Sequence, residues 1–279
     1  MTDLIDDLVR LALEEDLGPG GDVTSEAIFG PHDLAKAFVV SREPLVVAGL
    51  DVVARVYAAL DAHVHFRPLC ADGDQREAGQ RLAEVAGPAR GLWAGERTAL
   101  NFLQRLSGIA TLTRAFAKAI EGTGCRLLDT RKTSPGHRLL DKAAVRAGGG
   151  HNHRMGLFDG ILIKDNHIAA AGSLAEAVTR ARAGAHALLR IEVEVDSLAQ
   201  LEEAMGLPVD IVLLDNMSIA DLRIAVERRS VRKPGLLLEA SGGVRLENVR
   251  AIAETGVDFI SAGILTHGAR AVDIGLDAE

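Results

Sequence analysis

Apolar positions recur along this chain in two rhythms. Leu4, Ile5, Leu8, Leu11 and Ala12 stand three and four apart, which predicts an amphipathic helix with Asp3 available as its cap, ended by the loop composition LGPGGD. DVTSEAI follows, with Thr24 and Ser25 as candidate helix caps. From Ala35 to Pro68 the rhythm changes. KAFVVSREPLVVAG and HVHFRPL predict strands around a helical segment from Leu50 to Leu60, and Arg81 to Ala86 predicts another short strand. Glu96 to Ile120 then carries Leu100, Leu103, Leu106, Ile109, Ala110, Phe116 and Ile120 at near-helical spacing, predicting a long helix with a break around Ser107 and Gly108. The character of the chain shifts here, so the boundary is placed between a first domain, 1–108, and a second, 109–268.

Beyond that boundary, short apolar runs alternate with amphipathic stretches. The runs are RLLDTRK, GILIKDNH, LLRIEVEVD, DIVLLDN, GLLLEASGG and DFISAGILTH; the stretches between them include Ser173 to Ala183, Leu198 to Met205, Ile219 to Arg229 and Glu247 to Thr255. Strand and helix in repeated alternation imply parallel βα units and an α/β fold. An open doubly wound sheet places its ligand near one switch point, whereas here every run ends in charged, polar or glycine residues. That favours a βα barrel whose site lies at the C-terminal face. Six readable strands fall short of the usual eight.

Composition narrows the function classes. The 279 residues are 48% hydrophobic and 25% charged, as in a soluble globular protein. A net charge of −8 and only 3% aromatics argue against nucleic acid as a partner, because phosphate-backbone binding needs basic surface and often stacking platforms. No apolar run approaches the ~20 residues of a membrane span. MTDLIDD lacks the charge and apolar core of a secretory signal, and Cys70 and Cys125 lack metal or disulfide spacing, so the expected location is the cytoplasm. His63 and His65 alternate along a presumed strand without a nearby third ligand, and are read as a solvated strand face.

The densest chemistry lies between Gly148 and His167, GGGHNHRMGLFDGILIKDNH. Three glycines allow close backbone approach, and His151, His153, Arg154 and Lys164 gather positive charge in an acidic protein, suggesting a small, multiply anionic ligand. The other strand ends supply Arg131 with Lys132, Glu192 with Glu194, Asp215 with Asn216, Glu239 with Ser241, Gly242 and Gly243, and Gly263 with His267. Early cations suit carboxylates, Glu194 and Asp215 are hard oxygen donors suited to Mg²⁺ or sugar hydroxyls, and late-strand glycines suit a phosphate. Glu192 and Glu194 fall on one side of their strand, so both face the interior if either does.

DTRKTSPGHR, GGGHNHRMGLFDGILIKDNHI, IEVEVDS, VLLDN, LEASGG and GVDFISAGILTHGARAVDIGLD closely resemble the quinolinate phosphoribosyltransferases, as do EDLGPGGDVTS and GERTALNFLQRLSGIAT near the N-terminus. The resemblance implies a type II phosphoribosyltransferase fold, in which an N-terminal α/β sandwich joins an incomplete, about seven-stranded α/β barrel and 269–279 packs back on the first domain. It implies transfer of phosphoribosyl from phosphoribosyl pyrophosphate to quinolinate with decarboxylation, in NAD biosynthesis. Arg131, His153, Arg154 and Lys164 would bind the two carboxylates of quinolinate. Lys132 would contact phosphoribosyl pyrophosphate, while Glu194 and Asp215 would hold ribose hydroxyls and Mg²⁺, directly or through water. Lys132, Lys164, Glu194 and Asp215 would thus be the catalytic set. Ser241, Gly242, Gly243, Gly263 and His267 would receive the 5′-phosphate. Arg97 would enter a neighbouring subunit's site, making a homodimer the minimum active unit, with higher assembly open. The alternatives are a paralogous transferase acting on another anionic acceptor and a non-catalytic, molybdenum-transport-associated relative.

Overall fold

The first helix, Leu4–Leu17, turns a different face inward than its spacing suggests. In the computed structural model, which describes residues 4–279, Val9 and Leu13 are buried while Leu4 and Leu11 are exposed. Two overlapping apolar stripes share this helix, and spacing alone does not choose between them. Asp3, its expected cap, lies outside the described residues. The next helix, Val23–Ile28, is capped by Asp22, whose carboxylate accepts from the backbone N–H groups of Thr24 and Ser25 at 3.1 Å each. Thr24 and Ser25 are therefore capped residues, not the caps.

The described chain divides into two compact units. One comprises residues up to Arg114 with Thr133–Gly149 and Leu265–Glu279; the other comprises Ala115–Lys132 and Gly150–Ile264. The first holds a four-stranded antiparallel sheet in the order Ile274–Ala278, Leu34–Ser41, Arg81–Pro88, His65–Pro68. The helix Leu50–Leu60 buries Val52, Val53, Val56 and Tyr57, the apolar positions its spacing sets on one face. His63 and His65 are both exposed.

The long helix runs unbroken from Ala89 to Ala119. Ser107 and Gly108, expected to interrupt it, instead allow close packing. The buried Ser107 hydroxyl accepts from Ala48 N–H at 3.1 Å and lies 3.3 Å from Ala48 O, while a Cβ on Gly108 would fall well inside van der Waals contact of the Arg270 carbonyl. Gly148 has the same use: a Cβ there would meet Ala110 O and Thr113 Cβ at 2.5 Å. What this glycine lets the backbone approach is the long helix. The helix before it, Arg138–Ala147, was not read from the sequence.

The second unit is built on a parallel sheet ordered Arg126–Leu128, Phe259–Ser261, Leu237–Ser241, Ile211–Asp215, Ile191–Val195, Ile161–Ile163. These are the six runs expected, and the four helices expected between them are present at Leu174–Gly184, Leu198–Met205, Ile219–Arg232 and Leu246–Ala253. A seventh position lies beside the first strand, where His151 makes a parallel bridge to Leu128, donating its N–H to Leu127 O at 2.8 Å and accepting from Asp129 N–H at 3.1 Å. It is too short and polar to show as an apolar run. The sheet is rolled. Laid flat, the His151 segment would stand about 24 Å from Ile191–Val195 at the usual strand spacing, yet His153 Nε2 lies 3.0 Å from Glu192.

Candidate active site

Parallel strands bring their C-terminal ends to one face, and the second unit's expected chemistry sits there. Lys164 follows Ile161–Ile163 directly, Glu194 stands one residue from the end of its strand, and Asp215 and Ser241 end theirs. Lys164 Nζ donates to Glu194 Oε2 at 2.7 Å, with the two side chains 44% and 18% exposed, so the pair remains open to a ligand. Asp215 and Ser241 are register partners. Between them the backbone is specialised. Asn216 adopts a φ of 54°, donates its N–H to Ser241 O at 2.9 Å and its side-chain amide to Asp215 Oδ2 at 2.9 Å. Gly242, at φ 88°, lies so close to the Asn216 amide that a Cβ would collide with it, while Gly243, at φ 60°, has open space on its Cβ side. Such a turn leads backbone N–H groups toward the helix Leu246–Ala253, an arrangement suited to a phosphate.

The polar loop around His153 is fixed by Asp129, fully buried just past the strand Arg126–Leu128. Its carboxylate accepts from Asn152 Nδ2 at 2.5 Å and from His153 N–H at 2.9 Å. Arg154 donates its backbone N–H to His153 Nδ1 at 2.7 Å and Nη1 to Gly160 O at 2.9 Å. Asp159 closes the turn by accepting from Met155 and Gly156 N–H at 2.6 and 2.8 Å. Burial, and after it the nearby charge of Arg131, pull the Arg154 guanidinium below its ordinary pKa.

The family model of the quinolinate phosphoribosyl transferase N-terminal domain matches residues 22–107, and that of the C-terminal domain matches 109–277. The chain belongs to this family. It is 47% identical over 273 residues to a nicotinate-nucleotide pyrophosphorylase [carboxylating] of Mycobacterium leprae, covering 97% of this chain and 96% of that one. It is 43% identical to a probable nicotinate-nucleotide pyrophosphorylase [carboxylating] of Bacillus subtilis, covering 94% and 89%. Among solved structures, the nicotinate-nucleotide pyrophosphorylase of Francisella tularensis superposes with a TM-score of 0.93 at 42% identity, covering 99% of this chain and 96% of that one.

Within this phosphoribosyltransferase the expected site residues fall in different places. The second unit contains Arg131, Lys132, His153, Arg154, Lys164, Glu194, Asp215, Ser241, Gly242, Gly243 and Gly263. Arg97 is exposed on the long helix, and His267, also exposed, ends the short helix Ile264–His267; both are numbered in the first unit. The structure brings Lys164 to Glu194 and Asp215 into register with Ser241. Sequence reasoning gave no role to Asp129, Asn152 or Asn216. The positive φ of Asn216 has a weak sequence signal, since asparagine tolerates the left-handed region after a strand end. For Mg²⁺, the chemistry fits: Glu194 and Asp215 are partly exposed carboxylates on neighbouring strands, and such an ion takes one or two carboxylates and leaves its other positions to phosphate and water.

Proposed function

We propose that this chain transfers the phosphoribosyl group of phosphoribosyl pyrophosphate to the ring nitrogen of quinolinate and releases pyrophosphate and CO₂. The product is nicotinate mononucleotide, and the step belongs to NAD biosynthesis. The observation that carries this reading is the loaded C-terminal end of the rolled sheet, where an open Lys164–Glu194 pair, Asp215 and the Ser241–Gly243 turn belong to one unit. The name carried by the relatives, nicotinate-nucleotide pyrophosphorylase [carboxylating], describes the same reaction run backward.

Arg131, Arg154 and Lys164 hold the two carboxylates of the acceptor and place its ring nitrogen against the anomeric carbon. Lys132 meets the departing pyrophosphate, Glu194 and Asp215 orient the ribose hydroxyls, and Ser241, Gly242, Gly243 and Gly263 receive the 5′-phosphate. Mg²⁺ held near Glu194 and Asp215, directly or through water, supplies neutralisation of charge on the leaving group. The N–C bond forms as the C–O bond to pyrophosphate breaks, and the ring nitrogen becomes cationic. The adjacent carboxylate then leaves as CO₂, its bonding pair staying on the ring carbon beside the charged nitrogen until a proton takes it.

Arg97 comes from a second copy of the chain, so the active species is at least a homodimer; its exposed position supports this. We place the protein in the cytoplasm, which fits its two free cysteines; no described helix is long and apolar enough to cross a membrane.

The test is product formation from quinolinate, phosphoribosyl pyrophosphate and Mg²⁺, with nicotinate as control acceptor. A single carboxylate leaves part of the cation set unmatched, so nicotinate is expected to react on the order of a hundredfold less efficiently. Equal use of the two acceptors contradicts the assignment.

A further inference from the structure

The second unit buries two carboxylates side by side. Glu192 is 5% exposed and Glu239 1%, and with His153 they bring one ligand atom each within 4.8 Å of one another. His153 Nε2 lies 3.0 Å from Glu192 Oε2 and 3.6 Å from Glu239 Oε2. The remaining oxygens, Glu192 Oε1 and Glu239 Oε1, are buried without a hydrogen-bond partner among the described residues. A cavity of about 410 Å³ reaches the three side chains, lined also by Arg126, Ile211 and Phe259, which begin their strands. Burial, and after it the charge of Glu192, push the Glu239 carboxyl up to about 8.

A divalent cation or a shared hydrogen-bond network would each relieve two buried carboxylates, and the imidazole distinguishes them. Arg154 N–H donates to His153 Nδ1 at 2.7 Å, so Nδ1 presents its lone pair and the neutral ring carries its hydrogen on Nε2, facing the carboxylates. A metal-bound histidine has the reverse arrangement, with the metal on one nitrogen and an N–H donated from the other. The cluster is built around protons.

We infer that Glu192 and Glu239 are positioning residues for the acceptor: by holding the Nε2–H of His153 inward they fix its Nδ1 on the Arg154 backbone, and so set where the Arg154 guanidinium meets a carboxylate. This inference rests on the quinolinate reading and deepens it. Both ring nitrogens of His153 are engaged within the protein, Nε2 at Glu192 and Nδ1 at the Arg154 N–H, so the glutamates and Arg154 are linked through one imidazole. The loop is then held from both sides, with Asp129 on the His153 backbone and Gly160 O on the Arg154 side chain.

Long-range ¹H–¹⁵N correlation on histidine-labelled, full-length protein reads the ring without turnover, the His153 signals being assigned by their loss in His153→Asn. The wild type is expected to show the Nε2-protonated tautomer, and Glu192→Leu or Glu239→Leu to redistribute it. The same variants should raise KM for quinolinate on the order of tenfold or more while KM for phosphoribosyl pyrophosphate stays in place. Glu239→Gln, neutral and of the same shape, should rescue most of the loss in Glu239→Leu. Thermal melting verifies folding, since apolar replacement of buried charge is often tolerated; if the leucine variants fail to fold, His153→Gln carries the comparison of the two KM values. An Nδ1-protonated ring in the wild type, parallel rises in both KM values, or a Glu239→Gln as damaging as Glu239→Leu overturns the inference. A wild type that makes no product from quinolinate sinks the proposed function instead, and leaves the tautomer result to be judged by itself.

Discussion

Arg154 is held at two points, its backbone N–H on His153 and its Nη1 on Gly160 O. Lysine would keep the charge but lose the planar fork that meets both Gly160 and a carboxylate. Arg154→Lys is therefore expected to raise KM for quinolinate about tenfold, equivalent to about 1.4 kcal/mol, with a smaller change in kcat. An unchanged KM would remove Arg154 from the acceptor site. The residue type and its neighbourhood in GGGHNHR were legible in the sequence. Its hold was not, because Gly160 reaches it through the turn closed by Asp159, which leaves no periodic signal.

At the scale of elements, the long helix and the C-terminal strand depend on each other. Gly108→Ala should gain about 1 kcal/mol of helix propensity, but its methyl would displace the Arg270 carbonyl, and overpacking of this kind costs about 1–3 kcal/mol. A net lower melting temperature is expected; a higher one would show that the contact yields easily. The same terminal segment is tied by Arg270 to Glu43, which also accepts Asp273 N–H at 2.8 Å. The Arg270 guanidinium, followed by that N–H, holds the Glu43 carboxyl at about 2, below its ordinary 4.5. A carboxyl depressed in the folded state stabilises above its ordinary pKa and loses that contribution as pH falls toward the folded value. Hydrogen-exchange protection of Ile274–Ala278 should consequently weaken between about pH 4.5 and 2, and constant protection through that window would count against the tie. The helix Leu50–Leu60 and the apolar barrel strands were readable because periodicity and burial coincide in them. The uninterrupted Ala89–Ala119 helix was not, since serine and glycine look like a break until the segments packed against them are known.

For the whole molecule, the proposed dimer makes a prediction that no single chain can satisfy. Arg97→Ala and Lys132→Ala chains should each be inactive alone and regain up to about a quarter of wild-type activity after subunit exchange, because random pairing leaves half the dimers mixed, each with one intact site. Inactivity after verified exchange would place Arg97 outside a shared site. The amino-acid order by itself determined the α/β class, the six apolar strands, the cations and carboxylates at their ends, and membership motifs spread along nearly the whole chain. These are local properties: period, composition and contiguous runs. Only the tertiary structure decided which face of the first helix is buried, that His151 supplies a seventh parallel position, that Lys164 pairs with Glu194, and that Glu192 and Glu239 meet around His153. Those outcomes depend on how far the sheet rolls, and that curvature brings together side chains dozens of residues apart whose separation in the chain carries no trace of their meeting.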